Sequence, residues 1–359
     1  MHDFQVRVRQ VLDAIVDPHT GTGLVEGGSF KGAARHADGA MVDLVLGYAS
    51  RSWHATLSGQ AGDALRAAGL GEVAVSVGQR VVTHEVREGL SPLPNVRNII
   101  AVASGKGGVG KSTTAVNLAL ALAAEGARAG VLDADIYGPS VPRMLGISGK
   151  PDSPDGKRIL PKRAHGLQCM SIGFMIEDDT PMVWRGPMVT QALQQLLNET
   201  LWEDLDYLVI DLPPGTGDIQ LTLSQRVPVS GAIIVTTPQD IALLDARKAL
   251  RMFEKVEVPV LGIVENMSTH VCSQCGHVEP IFGEGGGGRM AAEYHVPLLG
   301  QLPLAMAIRE QADGGRPTVV AHPDSAEAAA YRDIARRAAG RLSVRARSKA
   351  MGLPNIVIE

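Results

Sequence analysis

Cysteine is scarce: Cys169, Cys272 and Cys275 are the only three in 359 residues, too few for the disulfide framework that holds small secreted domains together. Long apolar runs are missing as well. The most apolar stretch, Ala115–Ala124, falls short of the ~20 residues a membrane-spanning helix needs, and the opening MHDFQVRVRQ lacks the apolar core of a secretory signal. A soluble, cytoplasmic protein with no membrane partner is expected. Positive charge is not in excess. A formal net charge of −4 gives no global attraction to nucleic acid, and no stable nucleic-acid partner is expected. Aromatics are few at 4%, while glycine is abundant at 41 copies, a balance that suits α/β layers joined by many tight turns. With 45% apolar and 20% charged residues, the remaining composition is that of an ordinary globular chain long enough for two or three domains.

Two regions differ in pattern. Residues 1–90 hold a helical opening (4–16), turn signals at 17–23 and apolar runs at 41–46 and 73–77, which predict a small α+β unit. The proline-containing stretch 91–97 reads as a stiff linker. From residue 98 to about 341, short apolar segments at 99–103, 131–133, 208–211, 232–236 and 260–264 alternate with helical stretches such as 113–125 and 242–253. Buried parallel strands have this character. The prediction is a doubly wound, mostly parallel α/β domain with its ligands at the carboxyl ends of the strands, followed by a basic tail over 342–359. The run Gly285–Gly288 is expected to be a flexible or phosphate-approaching loop.

Gly105-Lys-Gly-Gly-Val-Gly-Lys-Ser112 follows the first strand of this domain and opens a helix, the context that makes G-x-x-x-x-G-K-[ST] a phosphate-binding P-loop. Its glycines, Gly105, Gly107, Gly108 and Gly110, together with Val109 and Thr113, let backbone N–H groups face a nucleotide's phosphates. Lys111 reaches the β- and γ-phosphates and Ser112 can ligate Mg²⁺. Lys106 is a second cation in the loop, and its duplication suggests action on a nucleotide held by another subunit. Asp211 ends a strand where a Mg²⁺-holding carboxylate belongs, and the following 212–218 loop approaches the γ-phosphate. Asp135, just past the strand ending at Asp133, is better placed than Asp133 to orient an attacking water, while Asp133 caps a turn.

The pair Cys272-Ser-Gln-Cys275, with His270 and His277 nearby, admits three readings: a redox dithiol, a zinc site completed by the histidines, and half of a cluster site completed by a second subunit. The first sits poorly with the Gly-rich loop that follows, because such dithiols normally precede a helix. The histidine spacing is unusual for the second. Cys169 lies in an apolar strand-like run and reads as a small buried hydrophobe. A basic run of Arg332, Arg336, Arg337, Arg341, Arg345, Arg347 and Lys349 admits a surface-binding role on anionic lipid or nucleic acid, or a solvated amphipathic helix that closes the domain.

Over about residues 98–320 the motifs SGKGGVGKST, LDADIYGPS, SIGF, WRGPM, LDYLVIDLPPGTGD, VTTPQDIAL, NMS, CSQCG, IFGEGG and LLGQLPL resemble the Mrp, or ApbC-type, family within the deviant Walker A class of P-loop ATPases. That resemblance implies ATP hydrolysis in a face-to-face homodimer with Lys106 reaching across. It also implies adenine contact by Asn266, a [4Fe–4S] cluster bridged by Cys272 and Cys275 of both subunits, and apo iron–sulfur proteins as recipients. A positioning ATPase of the MinD or ParA type is the alternative, and it leaves the C-x-x-C unexplained. The first ~90 residues look like the MIP18-type cluster-assembly module often fused to this family. They lack the cysteine that module often carries near its second strand, since 47–54 reads GYASRSWH, and His54 reads as an ordinary histidine.

Overall fold

The computed structural model describes residues 2–36, 39–175, 186–272 and 274–346. Trp184 and Arg185 of the WRGPM motif, and Arg347 and Lys349 of the basic run, lie outside the described residues.

The N-terminal module is built on one face of a small sheet. Helix α1 (His2–Asp13) buries Phe4, Val8 and Leu12, a spacing of four that sets three apolar side chains on one helical stripe. Strands β1 (Phe30–His36) and β2 (Gly39–Leu46) form an antiparallel pair, and α2 (His54–Ala67) carries the chain across to β3 (Val73–Gln79), which runs parallel to β2. Val42, Leu44 and Leu46 of β2 are buried while Met41 and Asp43 are exposed, the period-2 alternation of a sheet covered on one side.

The larger domain starts at β4 (Val96–Ala103) and continues through α3 (Lys111–Ala124), β5 (Ala129–Asp133), α4 (Val141–Leu145), β6 (Lys162–Ala164), β7 (Leu167–Ser171), α5 (Gly186–Glu199), β8 (Leu205–Asp211), α6 (Asp218–Arg226), β9 (Gly231–Thr236), α7 (Asp240–Lys255) and β10 (Val260–Glu265). A short hairpin, β11 (His270–Val271) and β12 (Val278–Glu279), precedes α8 (Gly286–Glu293), β13 (Leu298–Gln301), α9 (Met306–Asp313), α10 (Thr318–Ala321) and α11 (Ala326–Ser343). The sheet order is β13-β10-β9-β4-β8-β5-β7-β6, parallel except for the edge strand β6. Strand β4 lies between β8 and β9, so the loop that leaves it emerges at the middle of the carboxyl edge, where ligands of such sheets bind. Residues 205–211 of β8 and 231–236 of β9 are buried throughout, as expected for strands with helices on both faces.

Helix α3 is buried from Thr114 to Leu122, wedged against β8 and β5 with α11 beside it; its alanines let those elements approach closely. Helix α11 runs through Ser343, and its arginines differ sharply in use. Arg336 turns inward to the N-terminal module, Arg337 pairs with Asp333 at 2.7 Å, and Arg341 lies against Gly21. The basic run therefore splits, with Arg336 and Arg341 forming part of the seat between the two domains. Among the described residues no helix is long and apolar enough to cross a membrane.

Candidate functional site

Strand β4 ends at Ala103 and the loop 104–110 turns into α3 at Lys111. Gly108 and Gly110 have φ of +81° and +82°, a left-handed backbone that residues with a Cβ adopt only with strain. A Cβ at Gly105 would run into the backbone of Asp245 in α7, and one at Gly110 into the Asn266 amide. The loop is thus pressed between α7 and the end of β10. Val109 is buried beneath it, and Asn266 Nδ2 donates to the Val109 carbonyl at 2.9 Å.

The loop encloses a cavity of about 220 Å³ lined by Lys106, Gly107, Gly108, Gly110, Lys111, Ser112 and Thr113, and on its far side by Asp135, Ser140 and Pro214. Lys111 Nζ lies 2.5 Å from Asp211 Oδ1, 3.2 Å from Ser112 Oγ and 3.7 Å from Asp135 Oδ2. Asp211 is fully buried, and its Oδ2 has no hydrogen-bond partner among the described residues. A buried carboxylate oxygen left unpartnered is costly, and with Ser112 beside it the pair has the hard-oxygen character that Mg²⁺ takes. These residues fit that ion. Lys106 lines the cavity with no ion pair for its ammonium among the described residues.

Asp133 is wholly buried and accepts from Asp135 N–H and Val141 N–H, each at 3.1 Å, and from Ser171 Oγ at 3.0 Å. It closes a turn, and the turn it closes carries Asp135 and Ser140 to the cavity wall. Burial, then the nearby Asp211 charge, push the Asp133 carboxyl up to about 7. Asp135 also lies above the usual carboxylate range, lifted by burial against the opposing pull of Lys111.

The cysteine pair sits at the tip of the β11–β12 hairpin, closed by Cys272 N–H to His277 O and Gly276 N–H to Cys272 O, both 2.9 Å. Cys275 is exposed and Cys272 half-buried. Backbone N–H groups of Cys275, then Gln274, face the Cys272 sulfur and hold its thiol below the ordinary range, as donors to a thiolate do. His270 Nδ1 donates to the Leu304 carbonyl at 3.0 Å. Among the described residues no group of three or more His, Cys, Asp or Glu is placed to hold a metal ion, so the Cys₂His₂ arrangement does not assemble within one chain. Cys169 is buried in β7, its thiol raised well above the ordinary range chiefly by burial.

Residues 95–339 match the family described as the NUBPL iron-transfer P-loop NTPases, of the ParA group, and residues 5–77 match the iron–sulfur cluster assembly proteins. The chain belongs to the NUBPL iron-transfer P-loop NTPase family. It is 58% identical over 303 residues to the iron–sulfur cluster carrier protein of Salmonella typhimurium, covering 84% of this chain and 82% of that one. It is 52% identical over 253 residues to the mouse iron–sulfur cluster transfer protein NUBPL, covering 70% and 79%. Among solved structures, an Archaeoglobus fulgidus nucleotide-binding protein in complex with ADP superposes with a TM-score of 0.57 at 37% identity, covering 64% of this chain and 90% of that one.

In this iron-transfer NTPase the fold brings Lys106, Lys111, Ser112, Thr113 and Asp135 around one cavity, buries Asp211 behind Lys111, places Asn266 under the loop, and sets Cys272 and Cys275 on a separate hairpin. Pro214, from the 212–218 loop expected near the γ-phosphate, lies in the cavity wall, as does Ser140, which no sequence reading singles out. Their motifs, LDADIYGPS and DLPPGTGD, were the available signal. One expectation is corrected. Gly286 and Gly287 begin α8 rather than a loose or phosphate-facing loop, because the buried Glu265 carboxylate accepts the Gly287 N–H at 2.5 Å and fills that helix N-terminus. Glycine is required there by contact, since a Cβ at Gly286 would meet Leu243 and Pro238 at 2.6 and 2.7 Å.

Proposed function

We propose that this protein is an ATP-dependent iron–sulfur cluster carrier: it binds and hydrolyses ATP with Mg²⁺ as a homodimer, holds a [4Fe–4S] cluster between subunits, and passes that cargo to apo iron–sulfur proteins in the cytoplasm. The observation that carries this reading is the hairpin that presents an exposed Cys275 and a half-buried Cys272, with no third ligand gathered beside them among the described residues, on the same domain as a phosphate cradle. Two thiolates from each of two subunits supply the four a [4Fe–4S] cluster takes. The names of the relatives point the same way.

In this reading the Lys111 and Thr113 region grips the phosphates, and Asn266 offers its amide carbonyl to adenine. Ser112 and Asp211 would hold Mg²⁺, which would supply neutralisation of the phosphate charge. Asp135 accepts a proton from the water that attacks the γ-phosphorus as the bond to the β-phosphate oxygen breaks. Lys106, uncommitted to any carboxylate of its own chain among the described residues, reaches the partner's nucleotide and stabilises the charge of the transition state. Exposed apolar side chains Ile241 and Leu244 on α7, Val271 and Val278 on the cysteine hairpin, and Ile281 and Met306 nearby in the chain offer apolar surface for a second copy.

The test is metal content against oligomeric state after anaerobic reconstitution with iron and sulfide. About four irons per dimer in the wild type, lost in Cys275→Ser with the monomer still folded, are expected. One zinc per monomer, independent of dimerisation, would reject the bridged cluster.

A further inference from the structure

The far end of the phosphate-loop helix is held by the N-terminal module. Glu125 caps the C-terminus of α3 and is wholly buried. A carboxylate there opposes the helix dipole and is desolvated, so it stands only if strong donors reach it. All of them come from elsewhere: Ser52 N–H at 2.9 Å, Ser52 Oγ at 2.6 Å and Arg336 Nη1 of α11 at 2.8 Å. The Glu125 backbone carbonyl accepts Arg51 N–H at 3.1 Å and Gln79 Nε2 at 3.0 Å, both from the module.

Arg336 ties this joint to a second buried cluster. Its Nη1 also donates to Ser52 Oγ at 2.7 Å and its Nε to His19 Nε2 at 3.1 Å. The His19 ring meets Tyr48 Oη at 3.1 Å, and Tyr48 donates to Asp17 at 2.7 Å. Close packing surrounds the cluster. A Cβ on Gly340 of α11 would lie 2.7 Å from the His19 carbonyl oxygen, and one on Gly126 2.9 Å from the Gln79 amide nitrogen.

We propose that docking of the N-terminal module on Glu125 positions the phosphate loop through α3, so that module docking and nucleotide occupancy stabilise each other. The inference rests on the reading of residues 105–113 as the nucleotide site. Helix α3 is 14 residues, about 20 Å, with Lys111 and Ser112 in its first turn and Glu125 at its end. Its middle is embedded in the core between β5, β8 and α11, and a closely packed interior transmits displacement rather than absorbing it. Phosphates order the first turn, and the module orders the last. Linkage then requires each event to favour the other to the same extent.

The test uses the full chain, with ADP and Mg²⁺ as probe. In the wild type, ADP is expected to slow amide exchange both at 111–117 and at 48–54 of the module. Glu125→Ala, and separately Gly340→Leu, which wedges the seat without touching Glu125, are expected to weaken ADP binding by roughly 5-fold or more and to abolish the effect at 48–54. The milder Ser52→Ala removes one donor and should fall between. If ADP protects 111–117 but not 48–54, and Ser52→Ala binds ADP like the wild type, the coupling is overturned while the nucleotide site stands. If the wild type binds no ADP, the nucleotide-site reading falls, and the coupling with it.

Discussion

Lys111 Nζ lies 2.5 Å from Asp211 Oδ1 across 100 residues of sequence, so the cation proposed to meet phosphate is held by the carboxylate proposed to hold Mg²⁺. Each group neutralises the other while the second oxygen of Asp211 stays unpartnered among the described residues. In the proposed function a nucleotide competes with Asp211 for Lys111, and Mg²⁺ would relieve that competition by taking over Asp211. Asp211→Asn is therefore expected to bind ADP without Mg²⁺ at least as tightly as the wild type, to lose the gain that Mg²⁺ adds, and to hydrolyse ATP on the order of 100-fold more slowly. Calorimetry with and without Mg²⁺, beside a phosphate-release assay, checks all three.

Lys106→Ala is expected to leave ADP binding within about 3-fold of the wild type and to lower ATP turnover by about 10³, the range of a cation supplied in trans. Mixing it with Lys111→Ala chains provides the check. A heterodimer in which an intact Lys106 faces a competent nucleotide should recover turnover, and flat activity across the mixing series would contradict action between subunits.

Ser140 occupies the N-cap position of α4 without making a side-chain cap bond, and it lines the cavity opposite Lys111. Ser140→Ala should therefore leave thermal stability almost unchanged, against the ~1 kcal/mol a working N-cap contributes, while slowing turnover about 10-fold if its hydroxyl donates one hydrogen bond to the bound nucleotide. A fall in melting temperature with unchanged turnover would show a structural hydroxyl instead.

Asp133 makes the nucleotide-free protein sensitive to pH. Its folded pKa, pushed up to about 7, lies above the ordinary aspartate value of about 3.8, so the folded state binds the proton more tightly than the unfolded chain. Stability from this group is fully present below about 3.8 and is lost as pH rises through about 7. Urea unfolding between pH 5 and 8, in chelator, should show that decline. Asp133→Asn should flatten it even as it lowers overall stability by disturbing the bonds to Asp135, Val141 and Ser171.

Legibility in the sequence followed the length of the chain segment that carries each feature. The eight residues 105–112 encode strand exit, glycine turn and helix start in one stretch, and β4, β5, β8, β9 and β10 fall where their apolar runs lie. The short strands β6 and β13 and the helix α2 carry little signal, because three or four residues have no period to read and the buried stripe of α2, Leu57, Ala61 and Leu65, holds only two large apolar side chains. The glycine run at 285–288 was misread for a related reason. Its composition is that of a mobile loop, and only the Glu265 carboxylate, 22 residues away, makes it the start of a helix.

What the sequence determined by itself was therefore local chemistry: a phosphate loop, two lysines within it, carboxylates at strand ends, and a thiol pair at contact spacing. Tertiary structure decided which of these groups meet. It set Lys111 on Asp211, placed the Asn266 amide under Val109 across 157 residues, and sorted a row of similar arginines by handing Arg336 alone to Glu125, 211 residues away. The physical reason is that periodicity along a helix or strand specifies which face is buried, whereas the partner on that face is chosen by how whole elements pack.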